Sequence, residues 1–127
     1  MNNAEDTKKI VRDKYAEIAS QSLKVNQDSC CGCGGTDTLD YSIMADQYTD
    51  IEGYVPDADL GLGCGLPTEY AKMSKGYTVL DLGSGAGNDV FIARQVVGEA
   101  GYVIGIDFTQ EMVNKAIANR EKLGFSN

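Results

Sequence analysis

The run Asp81-Leu82-Gly83-Ser84-Gly85-Ala86-Gly87 constrains this chain more than any other stretch. It follows an apolar, strand-like segment, Tyr77-Thr78-Val79-Leu80, and opens a helix-like one from Asn88 to Val97. A second apolar segment, Tyr102-Val103-Ile104-Gly105-Ile106, then ends in Asp107. This order predicts a β-turn-α-β unit with a glycine turn at the end of the first strand and a carboxylate at the end of the second. Such a unit builds a nucleotide or nucleoside pocket. Glycines let a ligand approach the backbone, the helix start offers free N–H groups, and a strand-end Asp accepts two hydrogen bonds from a ribose diol. The plainer alternative is a tight turn, with Asp107 a cap before Thr109. The ordering of the whole unit, not any one glycine, weighs against it.

The spacing separates two ligand classes. A dinucleotide fingerprint reads G-x-G-x-x-G, and from Gly83 that frame gives Gly83, Gly85 and then Asn88, so its third glycine is missing. What stands instead is D-x-G-x-G-x-G. This resembles motif I of the S-adenosylmethionine (SAM)-dependent methyltransferases. The resemblance implies that Asp81, Gly83, Ser84 and Gly85 hold the amino-acid half of SAM and that Asp107 holds its ribose. The adjoining Gly87 and Phe108 complete the candidate cofactor-binding set.

Composition narrows the partners. Among 127 residues, 19 are acidic and 11 basic, a net charge of −8. Backbone phosphates repel such a surface, so nucleic acid is not expected as substrate or partner. A small neutral or cationic ligand suits it better. No apolar run reaches transmembrane length, and Met1-Asn2-Asn3-Ala4-Glu5-Asp6 lacks the basic and apolar regions of a signal peptide. No membrane association is expected, and the cytoplasm is the default compartment. There the four cysteines are expected as reduced thiols, ligands or catalysts rather than disulfides. Histidine is absent, which excludes a Cys/His zinc centre or His-dependent acid–base chemistry within this chain alone.

Ala4 to Leu23 reads as an amphipathic helix, with Ile10, Val11, Tyr15, Ile18, Ala19 and Ser22 on one stripe. Plain core packing is the expected role of that stripe. From Val25 to Gly76 the pattern weakens, with a short helix expected over Tyr41 to Tyr48 and another from Pro67 to Met73. Thr109 is the expected N-cap of a last helix whose stripe is Met112, Val113, Ala116, Ile117 and Arg120. The organisation expected is a helix and loop-rich cysteine segment over residues 1–76, then a β-α-β-α portion of a Rossmann-like domain over 77–127. Two parallel strands leave sheet edges unpaired. The chain is therefore expected to be part of a larger doubly wound α/β domain, or else to pair its edges with a second copy.

Cys30, Cys31 and Cys33 lie close together in a glycine-rich loop, and Cys64 sits in Gly61-Leu62-Gly63-Cys64-Gly65-Leu66-Pro67. This is not the paired C-x₂-C spacing of a zinc site, although a four-cysteine zinc centre remains geometrically open. Thiolates select soft, thiophilic centres, of which trivalent arsenic is one. An ordinary thiol is the expected reading of Cys33.

Several segments taken together are similar to the arsenite SAM methyltransferases. They are Val11-x-x-x-Tyr15, Cys30-Cys31, Leu62-Gly63-Cys64-Gly65-Leu66-Pro67, Leu80 to Gly87, and Gly105-Ile106-Asp107-Phe108-Thr109-Gln110-Glu111-Met112. The resemblance implies arsenic(III) ligation and a catalytic role for Cys64 and for Cys30 or Cys31, which the motif does not separate. It implies methyl transfer by direct displacement, the arsenic lone pair attacking the SAM methyl carbon. Trivalent arsenic as a thiol conjugate would be the substrate, and a thiol reductant a partner. The family carries further cysteines and an adenine-binding segment that this sequence lacks, so these residues alone are expected to be inactive. It also often has Arg at the position of Asn88 and an aromatic residue at that of Leu62. Two other functions stay open: a SAM-dependent methyltransferase of another small molecule, and a noncatalytic metalloid- or zinc-binding module.

Overall fold

A computed structural model describes residues 3–21, 50–61 and 66–127. All four cysteines, the expected Tyr41–Tyr48 helix and residues 22–23 of the first expected helix lie outside the described residues. The described elements are α1 (Ala4–Ser20), α2 (Pro67–Tyr70), β1 (Thr78–Leu82), α3 (Asn88–Val97), β2 (Tyr102–Ile106) and α4 (Gln110–Leu123). Among the described residues no helix is long and apolar enough to cross a membrane.

β1 and β2 pair in parallel, Thr78 opposite Tyr102 and Leu82 opposite Ile106. β1 runs further than its apolar segment suggests, because the ladder continues through Asp81 opposite Gly105. A paired neighbour overrides the weak strand preference of Asp. Alternation turns Val79, Asp81, Val103 and Gly105 toward α3. A Cβ at Gly105 would stand 2.9 Å from Val90 Cγ2 of α3, so the missing side chain is what admits the helix. The other sheet face, with Leu80, Leu82, Ile104 and Ile106, is exposed among the described residues.

α3 buries Phe91, Ile92, Ala93 and Val97. At its far end Asn127 Nδ2 donates to the carbonyls of Gly98 at 3.0 Å and Gly101 at 2.7 Å. Phe125 packs on Phe91 and carries the Arg94 guanidinium 4.2 Å above its ring. On α4 the inward residues are Met112 and Asn119, two turns apart on one line. Arg120, expected on that stripe, faces outward. Asn119 takes the inward place because its Nδ2 donates to the Ala86 carbonyl at 3.5 Å.

Two helices end earlier than their sequences suggest. The Ser20 hydroxyl donates back to the Glu17 carbonyl at 2.6 Å, and Gln21 is extended at φ −97°, ψ 162°. α2 stops at Tyr70 because Lys72 takes φ +49°, which no right-handed helix can continue. Among the described residues the α1 stripe is covered only at its C-terminal end. Ala19 is buried with Leu60, Ala86 and Met112, and Ile18 packs against that cluster. Ile10 and Val11 stay exposed among the described residues. This small core ties α1, the 50–61 loop, the glycine turn and α4 together, and the site lies beside it.

Candidate functional site

The chain leaves β1 by folding over the end of β2. The Gly83 and Ser84 amides both donate to the Ile106 carbonyl, at 2.7 and 3.0 Å. Gly83 and Gly85 take φ +79° and +53°, which glycine adopts without a Cβ penalty. Among the described residues a Cβ at Gly83 would meet nothing within 4 Å, and one at Gly85 only Met112 Sδ at 3.9 Å. Their surfaces are therefore open. Gly87 differs. At φ +99° it caps α3, and a Cβ there would stand 2.7 Å from the Phe91 ring. Its lack of a side chain serves packing.

Asp107 closes the turn. Its Oδ2 accepts the Gly85 amide at 3.0 Å, and its Oδ1 accepts the Thr109 amide at 2.8 Å. Each oxygen keeps a lone pair for another donor. Thr109 holds the N-cap position of α4, as expected, but its side chain makes no capping bond. Asp107 serves the Thr109 amide instead. Thr109 is fully buried, and its Oγ1 has no hydrogen-bond partner among the described residues.

A cavity of about 280 Å³ opens over this turn. Gly83, Ser84, Gly85 and Ala86 form one wall, Asn88 and Asp89 stand at the start of α3, and Asp107, Phe108 and Met112 form another side. Ala58, Asp59, Leu60 and Tyr15 complete it. Three lining side chains, Asp59, Asp89 and Asp107, are carboxylates, and among the described residues no lysine or arginine lines it. Such a wall favours a cationic over an anionic ligand. Asp59 is fixed in place, its Oδ2 accepting the Tyr54 hydroxyl and its Oδ1 the Gly61 amide, both at 2.9 Å. Burial, then the hydrogen bond to Asp59 and its charge, raises the Tyr54 pKa, so its hydroxyl stays a donor.

The structure therefore brings Gly83, Ser84, Gly85, Asp107 and Phe108 to one cavity. Asp81 and Gly87 are not among the lining residues. Asp81 lies on the α3 side of the sheet, where burial and then the neighbouring Asp107 raise its pKa. Cys30, Cys31 and Cys64 lie outside the described residues. Tyr15, Asp59 and Met112 were not singled out as ligand-facing in the sequence. Tyr15 and Met112 fall within segments that carry the family resemblance but sit on ordinary amphipathic stripes, and Asp59 sits in a stretch without periodicity, so nothing in the sequence marks them as ligand-facing.

A family described as "Methyltransferase domain" matches residues 73–127. An arsenite methyltransferase of Halobacterium salinarum is 43% identical over 126 residues, covering 93% of this chain and 32% of the relative. One of Mus musculus is 42% identical over 127 residues, covering 97% of this chain and 32% of the relative. The crystal structure of an arsenic(III) S-adenosylmethionine methyltransferase from Chlamydomonas reinhardtii superposes partially, with 33% identity and a TM-score of 0.43 over 68% of this chain and 28% of that one. The chain thus spans about a third of the length of the curated relatives it matches. Over nearly its whole length the chain is thus similar to arsenite methyltransferases, and its β1-α3-β2-α4 unit is the opening portion of a Rossmann-like methyltransferase fold.

Proposed function

We propose that this chain forms the donor-binding end of an arsenite methyltransferase, with SAM at the glycine turn and Asp107. One observation carries the reading: the glycine turn and Asp107 meet on one cavity, in a chain whose relatives are arsenite methyltransferases. The open surface over Gly83 suits a ligand laid against the backbone, and the carboxylate wall suits a sulfonium cation. The lone pairs left on Asp107 suit a ribose diol. The set assigned to the donor is Asp81, Gly83, Ser84, Gly85, Gly87, Asp107 and Phe108. Within it Asp81 and Gly87 stand off the cavity wall, Gly87 as the N-cap of α3. When bound, SAM supplies a methyl group already activated on sulfur, so transfer to a lone pair calls for no general base and the absence of histidine costs nothing.

Trivalent arsenic is the proposed substrate, delivered as a thiol conjugate and held by Cys64 and by Cys30 or Cys31. Thiolates are the soft donors such a centre selects, and their protonation weakens the grip, so affinity falls on acidification. A thiol reductant is the proposed partner, and the cytoplasm the proposed compartment. Residues 1–76 form the cysteine-bearing portion and 77–127 the donor-binding portion. The full reaction draws on more of the family's length than these residues span. The two-stranded sheet offers an edge for further strands or for a second copy.

Calorimetric titration with SAM tests the donor site: the unmodified chain binds weakly and Asp107→Ala does not. Arsenite titration with thiol counting tests the substrate. Two thiols lost per arsenic, with Cys64 protected from alkylation, are expected. SAM binding without any arsenite-dependent loss of thiols would point to another small-molecule acceptor.

A further inference from the structure

α1 does more than pack. Arg12, Tyr15 and Ala19 share one helix face at three- and four-residue steps. The Arg12 guanidinium lies 5.9 Å from the centroid of the Phe108 ring. Ala19 is buried against Leu60, Ala86 and Met112, and its carbonyl accepts the Lys115 ammonium at 3.2 Å. The helix thus runs across the cavity from its Phe108 side to its Ala86 side, with Tyr15 between. Tyr15 lines the cavity yet keeps 40% of its surface exposed, so apolar burial alone does not account for it.

We infer that Tyr15 is a donor-contacting residue whose ring faces the ribose–sulfur portion of SAM. The inference rests on the donor reading above. The ribose belongs at Asp107 and the amino-acid half at the glycine turn, so the sulfur lies between them, where the middle of α1 passes. An aromatic face attracts a cation through its quadrupole. Tyr15 therefore favours the charged sulfonium donor over its neutral product, S-adenosylhomocysteine, and helps the site release product in exchange for donor.

Calorimetry on the full chain with both ligands tests this. Tyr15→Phe keeps the ring and leaves both affinities within about twofold. Tyr15→Leu keeps apolar bulk and helix propensity, and weakens SAM about three- to tenfold while changing S-adenosylhomocysteine much less. Thermal melting without ligand shows whether the variants remain folded. The chain has no tryptophan, so Tyr15→Trp places a sole indole at the cavity. Its emission shifts on saturation with SAM. Unchanged SAM affinity in Tyr15→Leu, equal loss for both ligands, or a silent indole overturns the inference. If Asp107→Ala abolishes binding while Tyr15→Leu does not alter it, the donor site stands and the Tyr15 role falls. If the unmodified chain binds no SAM, both fall.

Discussion

The Asp107 carboxylate accepts the Gly85 amide at 3.0 Å and so ties the end of β2 to the glycine turn that leaves β1. One side chain fixes the turn and also presents acceptors to the cavity. Asp107→Ala leaves the Gly85 and Thr109 amides without this acceptor, and should cost about 1–3 kcal/mol of stability. Asp107→Asn retains one acceptor oxygen and should fall between. SAM affinity should drop more than about tenfold in Asp107→Ala, which loses both acceptors for a ribose diol, and less in Asp107→Asn, which keeps one. Chemical denaturation reads the first effect and calorimetry the second. An Ala variant that binds SAM like the unmodified chain would remove Asp107 from the donor site.

Two glycines of the same motif should respond in opposite ways. Gly83→Ala meets no neighbour within 4 Å among the described residues, so its stability cost is limited to about 1–2 kcal/mol for a side chain at φ +79°. Its methyl group projects into open space, and ligand affinity should suffer. Gly87→Ala adds a collision with the Phe91 ring at 2.7 Å to the strain of φ +99°. A total near 2–4 kcal/mol is expected, with a correspondingly lower melting temperature. Equal melting temperatures for the two variants would contradict this division of roles.

The β-α-β-α order, the parallel pairing and the Asp107–glycine meeting were legible because each has a local signature. Apolar runs mark the strands, positive-φ glycines mark the turn, and an acid marks a strand end. What the sequence did not show depends on distant contacts. The helix over Ala4–Ser20 was visible, but which part of its stripe is covered depends on Leu60, Ala86 and Met112, which come from three other segments. The capping of α4 was half legible. Thr109 occupies the right position, yet the Thr109 amide goes to Asp107, two residues earlier. Composition could not choose between those two acceptors, since both residue types cap helices. Arg120 and Asn119 differ by one helical step, and the carbonyl of Ala86 decided which of them turned inward.

Asp81 carries a cost that pH should reveal. Its raised pKa means the folded chain holds that proton more tightly than the unfolded chain does. The stability linked to it is fully present below the ordinary carboxylate range and is lost as pH rises through the raised value. Asp81→Asn should therefore melt higher than the unmodified chain at neutral pH and match it in acid. SAM affinity should fall in the same variant, because a carboxylate neighbouring Asp107 contributes to the field that holds a cation. A melting difference that does not grow with pH would show that burial of the charge is not the cause.

Thr109 offers the opposite trade. Its side chain is fully buried, its hydroxyl has no partner among the described residues, and the capping its position suggests is supplied by Asp107. A buried hydroxyl without a partner pays desolvation and recovers nothing. Valine has nearly the same shape and the same branching at Cβ, so Thr109→Val should keep the packing and remove the penalty. A gain of about 1 kcal/mol is expected, read as a shifted denaturation midpoint at unchanged slope. SAM affinity should not change, since the backbone amide that meets Asp107 is retained. A loss of stability instead would mean that Thr109 Oγ1 finds a donor or acceptor in the folded protein.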